Sequence, residues 1–322
     1  MMTGQITTSL VMATYNGEKF IVEQLESLKN QTKKIDEVLI YDDCSTDQTA
    51  LLVKDFIKKN NLDNWILKVN KVNCGWRTNF MRLLSDATCE IVFTCDQDDI
   101  WMPEKIEIMS EQFINNKNIA VLVSDYTELM GENGVSAKLR DIKTTDDQGN
   151  KKVIFSAENV LLKRPGCVFA IRKDFVDIVQ NYYNDAVKSA HDVAMWKAAL
   201  LYDRLYYLSL PTIKFRRHAE SSFQKEVNSA KKQSGIYDGR INTLNRLNVR
   251  LDSARNFLLS HPEIKDINKK EKIILAMEKQ NLLRIENLSK KSLFGVIKNS
   301  YKYERPFNFF ADMYHILKVK RS

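Results

Sequence analysis

Residues 90–101 read Glu90-Ile-Val-Phe-Thr-Cys-Asp-Gln-Asp-Asp-Ile-Trp101, and the rest of the chain is arranged around them. The first half is a short apolar run rich in β-branched and aromatic side chains, which predicts a buried central strand of a mostly parallel sheet. Three carboxylates follow, Asp96, Asp98 and Asp99, at the strand end where such sheets bind ligands. Crowded carboxylates need a counter-charge, and oxygen ligands suit Mg²⁺ or Mn²⁺. The stretch therefore predicts a metal-diphosphate site, with an acidic turn that caps the next helix as the alternative.

The chain length and charge divide the sequence into two parts. Its 322 residues allow one large α/β domain plus an appendage, or two modest domains. The net charge of +8 is uneven, because residues 221–322 contain 21 Lys or Arg against 10 Asp or Glu. The five cysteines show no paired spacing, which predicts neither a zinc site nor disulfides and favours a reducing cytoplasm. We expect neither a signal peptide nor a membrane span, since no apolar run approaches about 18 residues.

Strand and helix patterns alternate along the chain before residue 90. Strand signals lie at Ile6–Ala13, Glu37–Tyr41 and Trp65–Val69, and helical patterns lie at about 18–30, 48–60 and 78–87, the second capped by Ser45 or Thr46. This order predicts a three-layer α/β domain with right-handed crossovers. No glycine-rich phosphate loop follows any strand, so a bound nucleotide would be held by acidic side chains and a metal.

Asp42 and Asp43 end the second strand signal. A carboxylate there can accept hydrogen bonds from a base N–H or a ribose hydroxyl, and turn formation or helix capping is an equal alternative.

The remaining part of the predicted domain carries weaker signals. Residues 119–124 favour a strand, and the polar residues 132–152 favour a loop that closes over a donor or an acceptor. Gly166 begins another strand, where the backbone can approach a ligand closely. His191 and Asp192 precede a predicted amphipathic helix over residues 193–201. The helix start favours the ionised form of Asp192. From the residues alone, a simple N-cap is the favoured interpretation of Asp192. After a last strand at 205–210, residues 214–218 form a cationic cluster whose alternative is a basic surface turn.

The motif order resembles the family 2 glycosyltransferases, inverting nucleotide-sugar enzymes with the GT-A fold, over about residues 5–223. Residues 11–16 are similar to the family's opening strand and P-x-Y-N turn, with Ala13 in place of Pro. Residues 38–49 are similar to its V-D-D-G-S-T-D-x-T segment, with Cys44 in place of Gly. Asn73, Gly75 and Asn79 match its N-x-G…N loop, and residues 96–99 match its D-x-D metal motif. The order and spacing of these motifs together are specific. The His-Asp pair, the Asp-Gln-Asp-Asp-Ile-Trp run and the later R-x-H resemble a bacterial rhamnosyltransferase-like subgroup.

The resemblance implies roles for these residues. Asp98 would bind the metal directly, with His218 as a further ligand, and Asp96 would hold the ribose. Asp192 would be the general base, where the family has an Asp at a helix start. An Arg would grip the diphosphate, while Phe215 replaces the Tyr of the family's Y-R-x-H. The expected nucleotide-sugar residues are Thr14, Tyr15, Asn16, Asp42, Asp43, Asn73, Gly75, Arg77, Asn79, Asp96 and Gln97. The expected donor and acceptor pocket contains Trp101, Gly166, His191, Trp196, Arg216 and Arg217.

The implied reaction moves a sugar, best guessed as rhamnose from dTDP-rhamnose, to a hydroxyl of a lipid-linked bacterial surface polysaccharide, with Mn²⁺ or Mg²⁺ as cofactor. A UDP-hexose donor is one alternative, and a non-catalytic sugar or membrane adaptor with the same fold is another. The sugar, acceptor and linkage are not determined by the residues.

Residues 224–322 form a predicted basic helical region outside the resemblance. Residues 292–297 and 307–317 mix aromatics with nearby Lys and Arg, as a helix on an anionic membrane surface does. This predicts a cytoplasmic protein held at the inner face of the membrane. Packing on the catalytic domain or on another subunit, which would make a homo-oligomer, is an equal alternative. Nucleic-acid binding is disfavoured because no recognised motif accompanies the charge.

Overall fold

A computed structural model of the chain describes residues 6–131, 136, 140–185, 190–218, 236–303 and 306–319. The chain divides into two compact units. The first contains residues 1–184 and 188–218, and the second contains residues 185–187 and 219–322. The predicted domain boundary between residues 223 and 224 lies outside the described residues.

Ten strands of the described chain form one sheet. They are β1 (Thr8–Thr14), β2 (Glu37–Asp42), β3 (Trp65–Val69), β4 (Ile91–Cys95), β5 (Ile100–Trp101), β6 (Val121–Met130), β7 (Thr144–Asp147), β8 (Asn150–Val153), β9 (Phe169–Arg172) and β10 (Leu205–Arg217). Their order is β3-β2-β1-β4-β9-β6-β10-β8-β7, with β5 also paired to β10. β1 is parallel to β2 and β4, and β6 is parallel to β10, whereas β9 runs antiparallel between β4 and β6.

The first unit's helices connect and cover these strands. They are α1 (Ile21–Lys29), α2 (Thr49–Lys59), α3 (Trp76–Asp86), α4 (Lys105–Asn115), α5 (Ala157–Val160), α6 (Val176–Asp185) and α7 (His191–Leu201). β4 is buried at every position, as expected for a strand covered on both faces. The predicted strand at residues 90–95 therefore forms the middle of the sheet.

Several helix starts differ from the predictions. No side chain caps α4, so the acidic residues before it are not helix caps. Neither Ser45 nor Thr46 caps α2; instead Asp47 Oδ1 accepts the amide of Thr49, the first residue of that helix. The helix predicted to be amphipathic is α7, and its residues 194–201 are all buried. Its apolar side chains face neighbours all round, which a one-sided pattern does not describe.

The predicted loop over residues 132–152 is wrong for its second half. Residues 144–153 form the β7–β8 hairpin, and β8 extends the sheet by pairing with β10. Gln148 and Gly149 at its turn both have positive φ, 55° and 80°, as a tight hairpin turn of the I′ type requires. The hairpin is mostly exposed and polar, so it lacks the apolar alternation that marks a half-buried strand.

The last strand is longer than predicted. β10 continues through Pro211 to Arg217, and its register against β6 shifts on either side of the proline. These irregularities absorb a residue that cannot donate to the ladder. The cationic residues 214–217 are therefore strand residues and not a surface turn.

The described part of the second unit is helical. Its helices are α8 (Ile236–Ser260), α9 (Ile267–Ser289), α10 (Leu293–Lys298) and α11 (Pro306–Val319). They share a core of Leu244, Leu288, Val296, Tyr303 and Ile316. Buried Asp312 of α11 receives two hydrogen bonds from Arg284 of α9, at 2.8 and 3.0 Å, and two from Arg240 of α8, both at 3.2 Å. Among the described residues, no helix is long and apolar enough to cross a membrane.

Candidate active site

The carboxyl ends of β1, β2 and β4 lie side by side, because β1 pairs in parallel with both other strands. Asp42 at the end of β2 is fully buried. Its carboxylate accepts hydrogen bonds from Thr14 Oγ1 at 2.8 Å, Ser45 Oγ at 2.6 Å and Ser45 N at 2.8 Å. Asp42 and Thr14 thus bind each other and hold the following turn, which is the alternative to base binding considered for Asp42.

Asp43 organises the loop before α3. Its Oδ1 accepts Asn70 Nδ2 and Cys74 N, both at 2.9 Å, and its Oδ2 accepts Gly75 N at 2.8 Å. Burial raises the pKa of Asp43, but these hydrogen bonds outweigh it and hold the pKa below its usual value. Asp43 is therefore an ionised carboxylate that shapes this loop.

The loop that Asp43 holds contains the predicted Asn73, Gly75 and Asn79. Asn73 Oδ1 accepts Gly75 N at 3.1 Å, and Gly75 has φ of +83°, which an L side chain rarely adopts. Asn79 is buried and donates to Tyr41 O at 2.8 Å, so it braces the end of β2 from within.

The turn after β1 is fastened to both neighbouring loops. Asn16 has a positive φ of 48°; its amide donates to Ser45 Oγ at 2.9 Å and its side chain accepts Thr46 N at 2.8 Å. Gln97 exchanges two hydrogen bonds with the backbone of Tyr15, at 2.9 and 3.1 Å. Tyr15 itself is 44% exposed, so its ring remains open to a ligand at this edge.

The acidic loop after β4 meets the end of β10. Asp98 Oδ2 and His218 Nε2 lie 2.9 Å apart, so the structure brings together the two residues predicted to bind metal. Asp99 Oδ1 accepts the backbone amide of Arg216 at 2.8 Å, and Arg216 Nε donates to Asp98 O at 2.7 Å. These contacts join residues about 120 positions apart in the sequence into one cluster.

Two carboxylates of the acidic loop lie close to a buried cysteine and a buried lysine. Burial and the charge of Asp98 raise the pKa of Asp96 to about 7. Burial and the charges of Asp98 and Asp96 raise the pKa of Asp99 well above its usual value. The Cys167 sulfur and one carboxylate oxygen from each of Asp96 and Asp99 lie within 4.8 Å of one another. Lys105 is buried beside them, where its Nζ donates to Cys167 O at 2.6 Å and desolvation lowers its pKa to about 8.

Lys105 and Cys167 were not predicted as site residues. Lys105 falls at the start of an ordinary helical pattern, and Cys167 has no cysteine partner nearby in sequence, so neither carries a local signal. Only the fold brings them to the acidic loop, and all five cysteines remain free thiols.

Arg216 and Arg217, one of which was predicted to grip the diphosphate, both have protein partners in this structure. Arg216 forms an ion pair with Glu23 and lies 4.9 Å from the Phe20 ring. Arg217, which neighbours it on the strand, pairs with Glu128 at 2.9 Å and donates to Tyr126 Oη. Both side chains position β10, and Arg216 also fixes the acidic loop.

The start of α7 places His191 beneath the candidate base. The imidazole stacks on Phe80 with 3.9 Å between ring centroids and has Trp76 at its edge. Desolvation and the charge of Arg77 lower its pKa to about 3, so the ring is neutral. A Cβ at Gly166 would lie 2.4 Å from His191 Nε2. The imidazole therefore accounts for the glycine. Gly166 does not begin a strand as predicted, because residues Gly166–Val168 form a 3₁₀ turn before β9.

Asp192 is the second residue of α7 and not its N-cap, which is Ala190. Its Oδ1 accepts the amide of Val193 at 2.7 Å. Burial nevertheless raises its pKa, against the opposing effects of that hydrogen bond and of the Lys163 and Arg77 charges. The backbone amide at the helix start favours the ionised form, as expected, but burial has the larger effect on the pKa. The charge of Asp192 is one of the smaller causes that raise the pKa of Asp96, after burial and the charge of Asp98, so the start of α7 lies near the acidic loop.

The two tryptophans expected in the pocket lie in the interior. Trp101 and Trp196 are each 2% exposed. Trp196 Nε1 donates to Asn159 O at 2.9 Å, and Lys105 Nζ lies 3.9 Å from the centroid of the Trp101 ring. Their large apolar surfaces belong to the core, which accounts for their position.

Solved structures with the same fold include nucleotide-sugar enzymes. The structure resembles Staphylococcus aureus TarS 1–349 in complex with UDP-GlcNAc, with a TM-score of 0.55, 20% identity, and coverage of 98% of this chain and 92% of that one. It also resembles the mannosyltransferase PcManGT from Pyrobaculum calidifontis in complex with GDP-Man and Mn²⁺, with a TM-score of 0.56, 15% identity, and coverage of 98% and 81%. The predicted GT-A fold with a mainly parallel sheet is confirmed.

Two curated relatives show higher identity over shorter spans. The dTDP-rhamnosyl transferase RfbG of Shigella flexneri is 31% identical over 219 residues, 64% of this chain and 71% of that protein. The poly(ribitol-phosphate) β-N-acetylglucosaminyltransferase TarS of S. aureus is 32% identical over 207 residues, 62% of this chain. The match spans about a third (34%) of the length of TarS.

The family comparison covers more than half of the chain. The model of "Glycosyl transferase family 2" matches residues 9–178, which contain the loops of Asp42 and Asp43 and the whole acidic loop. The strand order, the clustered loop ends and this match agree, and the chain belongs to glycosyl transferase family 2.

Proposed function

We propose that this family member is a metal-dependent, inverting glycosyltransferase whose site lies at the carboxyl ends of β1, β2 and β4. The observation that carries the proposal is the contact between Asp98 Oδ2 and His218 Nε2, which lie 2.9 Å apart, because it unites two candidate metal ligands at the carboxyl edge of the sheet. The Thr14–Asn16 turn, the Asp43-held loop with Arg77, and the Asp96–Gln97 segment surround the nucleotide in this proposal.

Asp192 acts as the general base. It accepts the proton of an acceptor hydroxyl while that oxygen attacks the anomeric carbon from the face opposite the leaving diphosphate, which inverts the configuration. Such assistance is worth about 10² to 10⁴ in rate. The raised pKa of Asp192 increases its affinity for the proton.

The residues at the acidic loop fit a hard divalent cation. Asp98 and His218 would hold Mn²⁺ or Mg²⁺, with Asp96 close by, and their oxygen and imidazole donors suit these ions. Burial, followed by the charge of Asp98, raises the pKa of both Asp96 and Asp99, and the charge of buried Lys105 opposes this shift at Asp96. When bound, the ion supplies positive charge that stabilises the departing nucleoside diphosphate.

The donor that we favour is dTDP-rhamnose, because the matched Shigella relative is named a dTDP-rhamnosyl transferase and spans most of both chains. UDP-linked hexoses are the second candidate, supported by the TarS match. The proposed acceptor is a hydroxyl of a lipid-linked or growing surface polysaccharide.

We also propose that the catalytic domain ends near residue 223 and that the helical region holds the enzyme at the inner face of the cell membrane. The positive charge of that region supports this location.

The test is a panel of dTDP-, UDP- and GDP-sugars, assayed for release of the nucleoside diphosphate with Mn²⁺ and simple glycoside acceptors. Release from a dTDP-sugar in preference to a UDP-sugar supports the favoured donor, and the opposite order supports the second. A non-catalytic adaptor predicts binding of a nucleotide sugar without any release. Stabilisation by a donor with no turnover for the whole panel would therefore contradict the enzymatic proposal.

A further inference from the structure

The last helix of the described chain is apolar on its exposed side as well as on the side that faces the core. Its inner face contributes Ile316, with Phe309 and Met313, to the core of the helical unit. Its outer face carries Phe307, Phe310, Tyr314 and Leu317, which are 75%, 66%, 60% and 43% exposed. Their spacing of three and four residues places them on one side of the helix. A surface helix of a soluble unit usually has polar residues there.

The neighbouring helix α10 repeats this feature. Val296 and Leu293 of α10 pack into the same core as Ile316 of α11. Phe294 and Ile297 are 75% and 54% exposed. We call Phe294, Ile297, Phe307, Phe310, Tyr314 and Leu317 the aromatic face. Large apolar side chains clustered at the surface mark an interaction site more often than isolated ones do.

The charges around the aromatic face select the kind of partner. Residues 290–322 contain eight Lys or Arg and two Asp or Glu. One of those two acids, Asp312, is buried and held by two arginines, so it does not offset the surface charge. Lys298 and Lys318 are exposed on the same two helices. Aromatic side chains beside lysines suit a membrane surface, where the apolar acyl chains lie beneath anionic headgroups.

A second copy of this chain fits the same surface less well. A two-fold contact would place the aromatic face against itself and bring the two basic segments together. Like charges at an interface oppose association, whereas an anionic surface attracts them.

We propose that the aromatic face lies in the headgroup region of a membrane that contains anionic lipid, with Phe307 and Phe310 inserted and Lys298 and Lys318 next to lipid phosphates. This inference rests on the peripheral location proposed above and names the surface and the lipid chemistry responsible.

The test measures cosedimentation of the full chain with vesicles of phosphatidylcholine alone or mixed with phosphatidylglycerol. We expect binding to the mixed vesicles, weakened by salt, and little binding to phosphatidylcholine alone. The double variant F307S/F310S should bind the mixed vesicles about 30-fold more weakly, which corresponds to about 2 kcal/mol of lost apolar insertion. K298Q and K318Q should each weaken binding about fivefold and reduce its salt dependence.

The matched control is L259S/L282S, which removes two leucines that are 51% and 60% exposed on α8 and α9, outside the aromatic face. It should bind vesicles like the unaltered chain. If F307S/F310S fails to fold in a thermal melt, F294S/I297S replaces it with the same expected direction.

Three outcomes would overturn the proposal: no binding to the mixed vesicles, equal binding by the face and control variants, or a dimer that F307S/F310S dissociates without loss of vesicle binding. None of these requires a sugar donor. Failure here is therefore separable from failure of the glycosyltransferase proposal, which release of nucleoside diphosphate reports for every variant.

Discussion

Asp192 is subject to two opposing influences. The first turn of α7 supplies the Val193 amide, which favours the ionised carboxylate, while burial favours the protonated form and prevails. A carboxylate of this kind holds a proton more firmly than an exposed one, as a base for a sugar hydroxyl should.

We predict that Asp192→Asn separates chemistry from binding. The amide keeps the shape and the hydrogen-bond acceptor but cannot take a proton, so kcat should fall about 100-fold or more while donor affinity and melting temperature change little. Steady-state kinetics and a thermal melt measure both. An active Asn variant, together with an Ala variant that loses only about 1 kcal/mol of stability, would instead identify a structural carboxylate.

We predict that Asp98→Ala abolishes transfer and weakens nucleotide binding in the presence of Mn²⁺, because it removes one of the two proposed metal ligands. Calorimetric titration of the nucleoside diphosphate with and without Mn²⁺ measures the binding. Glu158→Gln is the control, since Glu158 is an exposed carboxylate paired with Lys143. Full activity in excess EDTA would contradict a metal requirement.

The structure brings Asp98 and His218 together, two predicted residues whose signal is local in sequence. The carboxylates after β4 and the histidine after β10 are marked by their positions at strand ends. In contrast, the hydrogen-bond partners of Asp42 and Asp43 come from loops up to 32 residues away in sequence. The local sequence around a carboxylate that stabilises its own turn is the same as around one that binds a ligand, so it does not distinguish the two.

At the level of elements, the contact between the Gly166 segment and α7 sets the position of the candidate base. His191 fills the space that a side chain at 166 would need, and it does so next to Asp192.

We predict that Gly166→Ala lowers kcat at least about tenfold, because the added methyl pushes His191 and the first turn of α7 away. The double variant Gly166→Ala/His191→Ala should recover part of that loss, since the smaller residue makes room. Kinetics of both single variants and the double variant give the coupling. Additive losses would mean that the two residues do not act through this contact.

The elements themselves were predictable to different degrees. The βα units up to β4 follow directly from buried apolar runs and the helices between them. The β7–β8 hairpin and the second half of β10 were missed because edge strands need no apolar alternation and because a proline normally ends a strand. Every side of α7 is covered by elements that are distant in sequence. The local helical pattern therefore does not predict that the helix is buried on all sides.

At the level of the molecule, the helical unit depends on one carboxylate. Asp312 has no solvent exposure and joins three helices through Arg240 and Arg284. Removing one partner of a buried charge cluster leaves the others uncompensated.

We predict that Asp312→Ala destabilises the helical unit by about 3 kcal/mol, whereas the control Asp252→Ala costs less than about 1 kcal/mol because its pair with Arg255 is exposed. Unfolding in urea measures the difference. Equal losses for the two variants would show that the buried cluster contributes no more than a surface pair.

All four tryptophans of the chain, Trp65, Trp76, Trp101 and Trp196, lie in the first unit, while α8 and α9 contribute long helices to the second. Tryptophan emission therefore reports only the melting of the sheet-containing unit, whereas far-ultraviolet ellipticity reports both units. The two optical signals would give coincident transitions if the units unfold as one and separated transitions if each unfolds alone. Tryptophan emission is thus an intrinsic probe of the unit that holds the candidate active site.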